Sequence, residues 1–275
     1  MKNFTDKVVV ITGAGSGIGR ALAIEFKKLG AKLALNDFNQ TTLLETVALL
    51  NGTENNIFHA AFDVSDRTAM FAFAENSIAH FKAVDVVINN AGLAHGGGKF
   101  AEVDLDKFER VMDVNFRGVV YGSRAFLHHL LQRPQAVLVN IASVYGLTGI
   151  ADGESYVASK FAVNGLTQSL IQAYKKSNVS IHCVYPGGIQ TNITKNSIDY
   201  EERDDLFDQV LVHTPKFAAD TIINGIKKQK PRIIIGRDAY TIEILSRLAP
   251  VWGCGLINKH LEPMREEHQK LGASA

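Results

Sequence analysis

Seven short runs of apolar, largely β-branched residues punctuate the chain, at 8–12, 32–36, 57–62, 84–89, 136–141, 180–184 and 232–235. Runs this short suit strands better than helices, and those that are apolar throughout suit strands buried on both faces of a sheet. Between them lie longer stretches with helical patterns. The alternation predicts an α/β protein, a doubly wound parallel sheet of about seven strands with helices on both faces. Ligands of such a sheet sit beyond the carboxyl ends of the strands, so the residues just after each run are the first candidates for chemistry.

The first run empties into Gly13-Ala-Gly-Ser-Gly-Ile-Gly19. Glycines there permit positive φ and close backbone approach, and the N–H groups at the start of the following helix, from Ile18 to about Lys28, suit a pyrophosphate. Gly13 and Gly15 fit the general dinucleotide pattern G-x-G-x-x-G, but Ile18 stands where its third glycine belongs; Thr12 to Gly19 instead reads T-G-x-x-x-G-x-G, with Ser16 and Gly17 inside it. Asp37 closes the second run about 20 residues on. Its carboxylate suits a ribose 2′-hydroxyl and repels a 2′-phosphate, and no basic residue precedes Arg20 in the turn, which favours NAD over NADP. The competing reading of Asp37 is a cap for a helix over about 40–50.

Tyr156 and Lys160 lie four residues apart, thirteen residues after Ser143. On a helix that spacing puts both on one face, about 5–6 Å apart at Cβ. A phenol with a pKa of about 10 is a poor base near neutral pH, and a neighbouring ammonium favours its phenolate. The trio therefore reads as a proton-transfer site, against an ordinary exposed helix face for the Tyr-x-x-x-Lys pair alone.

Taken together, Thr12–Gly19, Asp63-Val64, Asn89-Asn90-Ala91-Gly92, Asn115, Ser143, Tyr156-x-x-x-Lys160 and Pro186-Gly187 resemble the short-chain dehydrogenase/reductase family, single-domain Rossmann-fold oxidoreductases. The resemblance covers about residues 5–240. It implies that Tyr156 is the general acid/base, that Lys160 binds the nicotinamide ribose and lowers the tyrosine pKa, that Ser143 holds the substrate oxygen, and that Asn115 supports a water-linked proton relay. It further implies cofactor contacts by Asp63 and Val64 at the adenine, by Ile189 and Thr191 at the carboxamide, and by Asn90, Ala91, Gly92, Pro186 and Gly187. The blander readings are a turn at Asp63-Val64 and an ordinary loop at 189–191. By the same resemblance 191–214 is a substrate lid, and the chain forms a homodimer or homotetramer through helices over about 108–131 and 156–175. The implied reaction is reversible hydride transfer between nicotinamide and a secondary alcohol or ketone. A sugar-nucleotide epimerase or dehydratase, and a non-catalytic NAD-binding protein on the same fold, are the rivals.

Composition narrows this little. A chain of 275 residues with 46% apolar content can bury a sizeable core as one domain spanning 1–275. A net charge of +1 without a basic stripe argues against nucleic acid. Cys183 and Cys254 offer neither a disulfide framework nor metal spacing, His128-His129 reads as helix surface, and no metal is expected. The first apolar run is too short for a signal peptide, so the expected compartment is cytoplasmic. The stretch 240–257, opening a carboxyl-terminal extension over 240–275, is rich in large apolar residues but interrupted by Glu243, Arg247 and Pro250, too short and too charged to span a bilayer. It must cover a subunit interface, the substrate pocket or a membrane surface. The second option implies a bulky apolar substrate.

Overall fold

The computed structural model describes residues 1–53, 55–94, 100–191, 193, 198 and 211–273. Seven strands form one sheet in the order β3-β2-β1-β4-β5-β6-β7, and every pair is parallel. They are β1 Val8–Thr12, β2 Lys32–Asp37, β3 Ile57–Ala61, β4 Val86–Asn89, β5 Ala136–Ile141, β6 Val179–Pro186 and β7 Arg232–Ile235. The helices are α1 Gly17–Lys28, α2 Gln40–Leu49, α3 Arg67–Phe81, α4 Leu105–Met112, α5 Gly118–Leu131, α6 Glu154–Ala173, α7 Pro215–Lys227, α8 Arg237–Leu248 and α9 Pro250–Ala273. No helix among the described residues is long and apolar enough to cross a membrane.

Strand alternation divides the core. Val9 and Ile11, with Leu33, Leu35 and Ile88, pack under Leu22 and Phe26 of α1 and Ile222 of α7. Val8 and Val10, with Val87 and Leu138, pack on the opposite face against Phe73 of α3 and Phe126 of α5. Every residue of β1 is buried because the strand serves both layers. The strand order reverses between β1 and β4, which leaves a crevice beyond their carboxyl ends.

The expected strands all form, with ends displaced by a residue or two. The fourth begins at Val86; just before it the Asp85 main chain still bonds to Val8 and Val137, while its side-chain Oδ2 accepts the Val8 N–H and its Oδ1 accepts Arg133 Nε, both at 3.0 Å. The sixth runs on to Pro186, paired with β5 on one side and with β7 on the other. The helix expected over 108–131 is divided: α4 and α5 are joined by a wide π turn over Asp113–Arg117. Residues 199–205 and most of the expected lid lie outside the described residues. His128 is exposed on α5, as expected of a helix surface.

The late apolar stretch becomes α8 and the start of α9. Tyr240, Ile244, Leu248, Val251, Trp252 and Leu256 are all exposed on it, so this chain does not bury them.

Gly19 is the tightest contact between turn and helix. A Cβ there would stand 2.0 Å from the Gly13 carbonyl oxygen and 2.7 Å from Asn90 Nδ2. Gly19→Ala is therefore expected to cost about 1–3 kcal/mol, as overpacking of a rigid contact does, seen as a lower urea midpoint at unchanged m-value. An unchanged midpoint would show that α1 can shift to admit a methyl group.

Candidate active site

The Gly-rich turn is held from two sides. Thr12 Oγ1 accepts the N–H groups of Asn90 and Ala91 at 3.0 and 3.1 Å, while Asn90 Nδ2 donates to the carbonyls of Thr12 and Gly13 at 2.9 and 3.2 Å. The side chain of Asn90 thus locks the loop after β4 onto the turn after β1 and points away from any ligand. Gly13 and Gly17 adopt positive φ, +66° and +50°. A Cβ on Gly17 would lie 3.1 Å from Thr191, so the turn and the segment after β6 meet there. Ser16 is the N-cap of α1 but its side chain makes no capping hydrogen bond, and the first turn carries no acidic residue. The opening N–H groups of α1 are left for a ligand, and the small-residue cradle before them suits a pyrophosphate.

Asp37 ends β2 beside this turn. Its Oδ2 accepts the Gly15 N–H at 2.8 Å and its Oδ1 accepts the Asn39 N–H at 3.0 Å. The α2 cap is Asn39, whose Oδ1 accepts from Thr41 and Thr42. The capping alternative for Asp37 is therefore corrected: with Asn39 two residues on, the aspartate is left to brace the glycine turn. Arg20, the nearest basic residue in sequence, is spent on the carbonyls of Gly15 and Thr42, on Thr46 Oγ1 and on Glu45.

Asp63 sits in a turn, as its blander reading had it. Oδ1 accepts from the Ser65 N–H and hydroxyl, and Arg110 pairs with Oδ2. Burial alone would raise this carboxyl, but the hydrogen bonds from Arg110 and Ser65 and the guanidinium charge prevail and hold it below the usual range. Val64 is buried, and its side chain packs against Gly118 at the start of α5.

Ser143, Tyr156 and Lys160 converge from two elements. Ser143 follows β5, caps a short 3-10 turn through the Tyr145 N–H and lies near enough to the Tyr156 phenol to favour its ionised form. Tyr156 stands in the first turn of α6, one helical turn before Lys160, whose Nζ lies 5.4 Å from the phenol ring centroid. Lys160 is buried and donates to the Ile141 carbonyl at 3.2 Å. Burial pushes Tyr156 up to about 12, with the Ser143 hydrogen bond as a partial offset, and burial pushes Lys160 down to about 8. In the ligand-free site desolvation thus outweighs the depression of the phenol that Lys160 was expected to cause. The resting pair favours a neutral phenol.

Asn115 lies fully buried in the π turn. Its Oδ1 accepts the Leu93 N–H, and its Nδ2 donates to the Leu93 carbonyl and to Ser159 Oγ, at 2.9, 2.9 and 3.0 Å. The Ser159 hydroxyl in turn donates to the Tyr156 carbonyl at 2.7 Å. A methyl group on Gly92 would stand 3.1 Å from Asn115 Oδ1 and 3.4 Å from Lys160 Nζ, so the loop after β4 closes over these two residues. Ser159 escaped the sequence reading because a serine on a helix carries no signal until its neighbours are known.

Pro186 and Gly187 end β6 beside β7. Asp238, in the first turn of α8, accepts the Gly188 N–H at 2.8 Å through Oδ2 and packs against Gly187. Ile189 is buried and bridges to His213 through the main chain, while Thr191 remains partly open on the cleft. Asp238 was also missed, since it is distant in sequence from the turn it holds. No cluster that could hold a metal occurs among the described residues.

A family profile described as short chain dehydrogenase matches residues 7–202. A Mycobacterium tuberculosis protein named as an oxidoreductase, SadH, is 40% identical over 259 residues, which is 90% of this chain and 92% of its own. The 2-(R)-hydroxypropyl-CoM dehydrogenase of Xanthobacter autotrophicus is 35% identical over 213 residues, 76% of this chain and 84% of its own. Among solved structures, a short-chain dehydrogenase/reductase from Burkholderia phymatum in complex with NAD superposes with a TM-score of 0.84 at 29% identity, over 90% of this chain and 95% of that one. With its strand order, its glycine cradle and Tyr156 one helical turn before the buried Lys160, the chain belongs to the short-chain dehydrogenase/reductase family of oxidoreductases acting on CH–OH groups.

Proposed function

We propose that the protein is an NAD-dependent dehydrogenase that interconverts a secondary alcohol and its ketone, with Tyr156, Ser143, Lys160 and Asn115 as its catalytic set. The observation that carries the reading is the meeting of the Ser143 hydroxyl, the Tyr156 phenol and the buried Lys160 ammonium at the carboxyl end of the sheet, one cleft away from a glycine cradle. The cradle from Gly13 to Gly19 would hold the pyrophosphate, Asp37 the adenosine ribose, and Tyr156 with Lys160 the nicotinamide ribose. Asp63, Val64, Asn90, Ala91 and Gly92 would line the adenosine side and the cleft floor. Asn90 and Asp63 would do so without their side chains, which are engaged within the protein. Pro186, Gly187, Ile189 and Thr191 would face the carboxamide. When bound, NAD supplies the hydride acceptor, and the protein supplies position and charge.

In oxidation Tyr156 takes the hydroxyl proton of the substrate. In reduction it returns that proton while Ser143 hydrogen-bonds the developing oxyanion. Lys160 holds a positive charge where a phenolate forms, in a buried site where that charge acts strongly. Asn115 ties the Leu93 backbone to α6 through Ser159, which fixes the floor on which a proton relay would run.

NAD is favoured over NADP because Asp37 places a carboxylate beside Gly15 and Arg20 is fully engaged elsewhere. A bulky apolar substrate is favoured by the apolar character of the connection from Ser143 to Tyr156, which includes Val144, Leu147 and Ile150. The exposed apolar surface of α8 and α9 favours a homodimer or homotetramer.

Tyr156→Phe should fold and bind NAD while kcat falls by at least about a hundredfold, the scale of a general acid/base group. In the unsubstituted enzyme, alcohol oxidation should quicken as pH rises, because a phenol raised by burial must lose its proton to act as base. Near-normal turnover of the variant would sink the mechanism.

Asp37→Arg removes a repulsion and adds a phosphate partner. The ratio of kcat/KM for NAD to that for NADP should move towards NADP by at least about tenfold, or 1.4 kcal/mol. An unmoved ratio would leave Asp37 as a brace for Gly15 alone.

Across a graded series of secondary alcohols and ketones, followed by NADH fluorescence, kcat/KM should climb by up to about 0.8 kcal/mol per buried methylene. A series won by short polar alcohols or sugars would overturn the apolar-substrate reading and leave the dehydrogenase reading intact.

A further inference from the structure

The carboxyl-terminal helix α9 meets the rest of the chain at residues 149–151, inside the connection between Ser143 and Tyr156. Asn258 Oδ1 accepts the Ala151 N–H at 2.9 Å, and Asn258 Nδ2 donates to the Gly149 carbonyl at 3.0 Å. The primary amide presents an acceptor and a donor side by side, so it pairs with these two main-chain groups as a neighbouring strand would. Cys254, one turn earlier, reinforces the contact: its thiol donates to the Gly149 carbonyl at 3.2 Å, and its own carbonyl accepts from Asn258 Nδ2 at 2.9 Å. The bracket joins residues more than a hundred positions apart in the chain.

What it braces needs bracing. Asp152, next after Ala151, sits at φ 62°, a left-handed conformation that a residue with a Cβ adopts reluctantly. Gly153 then caps α6 without any side-chain hydrogen bond. Tyr156 follows within the first helical turn. The start of α6, and with it the phenol, therefore has no side-chain N-cap; its incoming chain is held by one local bond, the Asp152 N–H to Glu154 Oε1 at 3.2 Å, and from outside by α9. The same connection carries Leu147, which packs against the core, and Ile150, which lies against Gly153. The cofactor cradle has separate fastenings, Thr12 to Asn90 and Asp37 to Gly15, on the other side of the cleft.

We propose that Asn258 is a positioning residue of this enzyme: by bracketing Gly149 and Ala151 it sets the substrate-side wall between Ser143 and Tyr156 and does not touch the cofactor half. The proposal rests on the dehydrogenase reading of Ser143 and Tyr156. It makes the carboxyl-terminal extension a part of the substrate site and not only a surface appendage.

The test uses the full chain with Asn258→Ala, Asn258→Gln as the variant that keeps an amide, and Leu256→Ala as a control on the same helix. Hydrogen exchange of a peptide spanning 147–153 should quicken in Asn258→Ala and stay unchanged in Leu256→Ala. With the best ketone of the graded series, kcat/KM should fall by about tenfold or more in Asn258→Ala, as misplacement near a reacting centre does, and recover in part in Asn258→Gln. The Kd for NADH, read by fluorescence, and the melting temperature should stay near those of the parent, a separation that a purely structural role would not give. Unchanged exchange, or faster exchange with an unchanged kcat/KM, would overturn the proposal, as would a parallel loss of NADH binding and melting temperature. A parent enzyme inactive on every alcohol and ketone would instead defeat the dehydrogenase reading and this proposal with it. An active parent whose Asn258→Ala variant keeps full kcat/KM would defeat this proposal alone.

Discussion

Everything in the site hangs on the two-way bond between Thr12 and Asn90. The sheet reverses its order between β1 and β4, so the turns leaving these adjacent strands must separate to make a crevice, yet stay in register to make a floor. The Thr12 hydroxyl accepts two N–H groups from the loop after β4, and the Asn90 amide returns two hydrogen bonds to the turn after β1. With four bonds across the switch point, Gly13 can hold its positive φ and Gly19 can approach Gly13 as closely as only glycine allows. The loop that carries Gly92 then arrives next to Asn115 and Lys160. Cofactor cradle and catalytic floor are thus one rigid piece.

The second constraint is electrostatic. Tyr156 and Lys160 are pushed in opposite directions by the same cause, since burial penalises a phenolate and an ammonium alike. The resting site therefore pairs a neutral phenol with a lysine that burial makes easier to deprotonate. The ammonium keeps its carbonyl partner on Ile141 in the meantime, so its position does not depend on its charge state. Geometry is set before chemistry begins.

How much of this was legible in the sequence follows from the range of the interactions involved. Strands were legible because a parallel sheet covered on both faces demands apolar residues at nearly every position, and the seven runs stand out against helical patterns. The glycine cradle and the Tyr156–Lys160 pair were legible because their spacing is local, within one turn of helix or one loop. Errors arose where two local rules compete. Asp37 and Asn39 are both good helix caps, and only the fold shows that Gly15 recruits the first and leaves α2 to the second. The wide turn at Asp113–Arg117 has no mark in the helical pattern, since one extra residue in a turn barely disturbs the apolar repeat. Asp238 and Asn258 were illegible for a simpler reason: their partners lie about 50 and more than a hundred residues away.

The two halves of the cleft are consequently built on different principles. On the cofactor side the fastenings join adjacent turns of the first four strands. On the substrate side the wall from Ser143 to Tyr156 leans on α8 and α9, elements added after the last strand, where Asp238 grips Gly188 and Asn258 grips Gly149 and Ala151. Among the described residues, no hydrogen bond of the glycine cradle passes through α9, whereas α8 holds the turn after β6 through Asp238. A fold arranged in this way can keep one chemistry and alter what it acts on by editing the end of its chain.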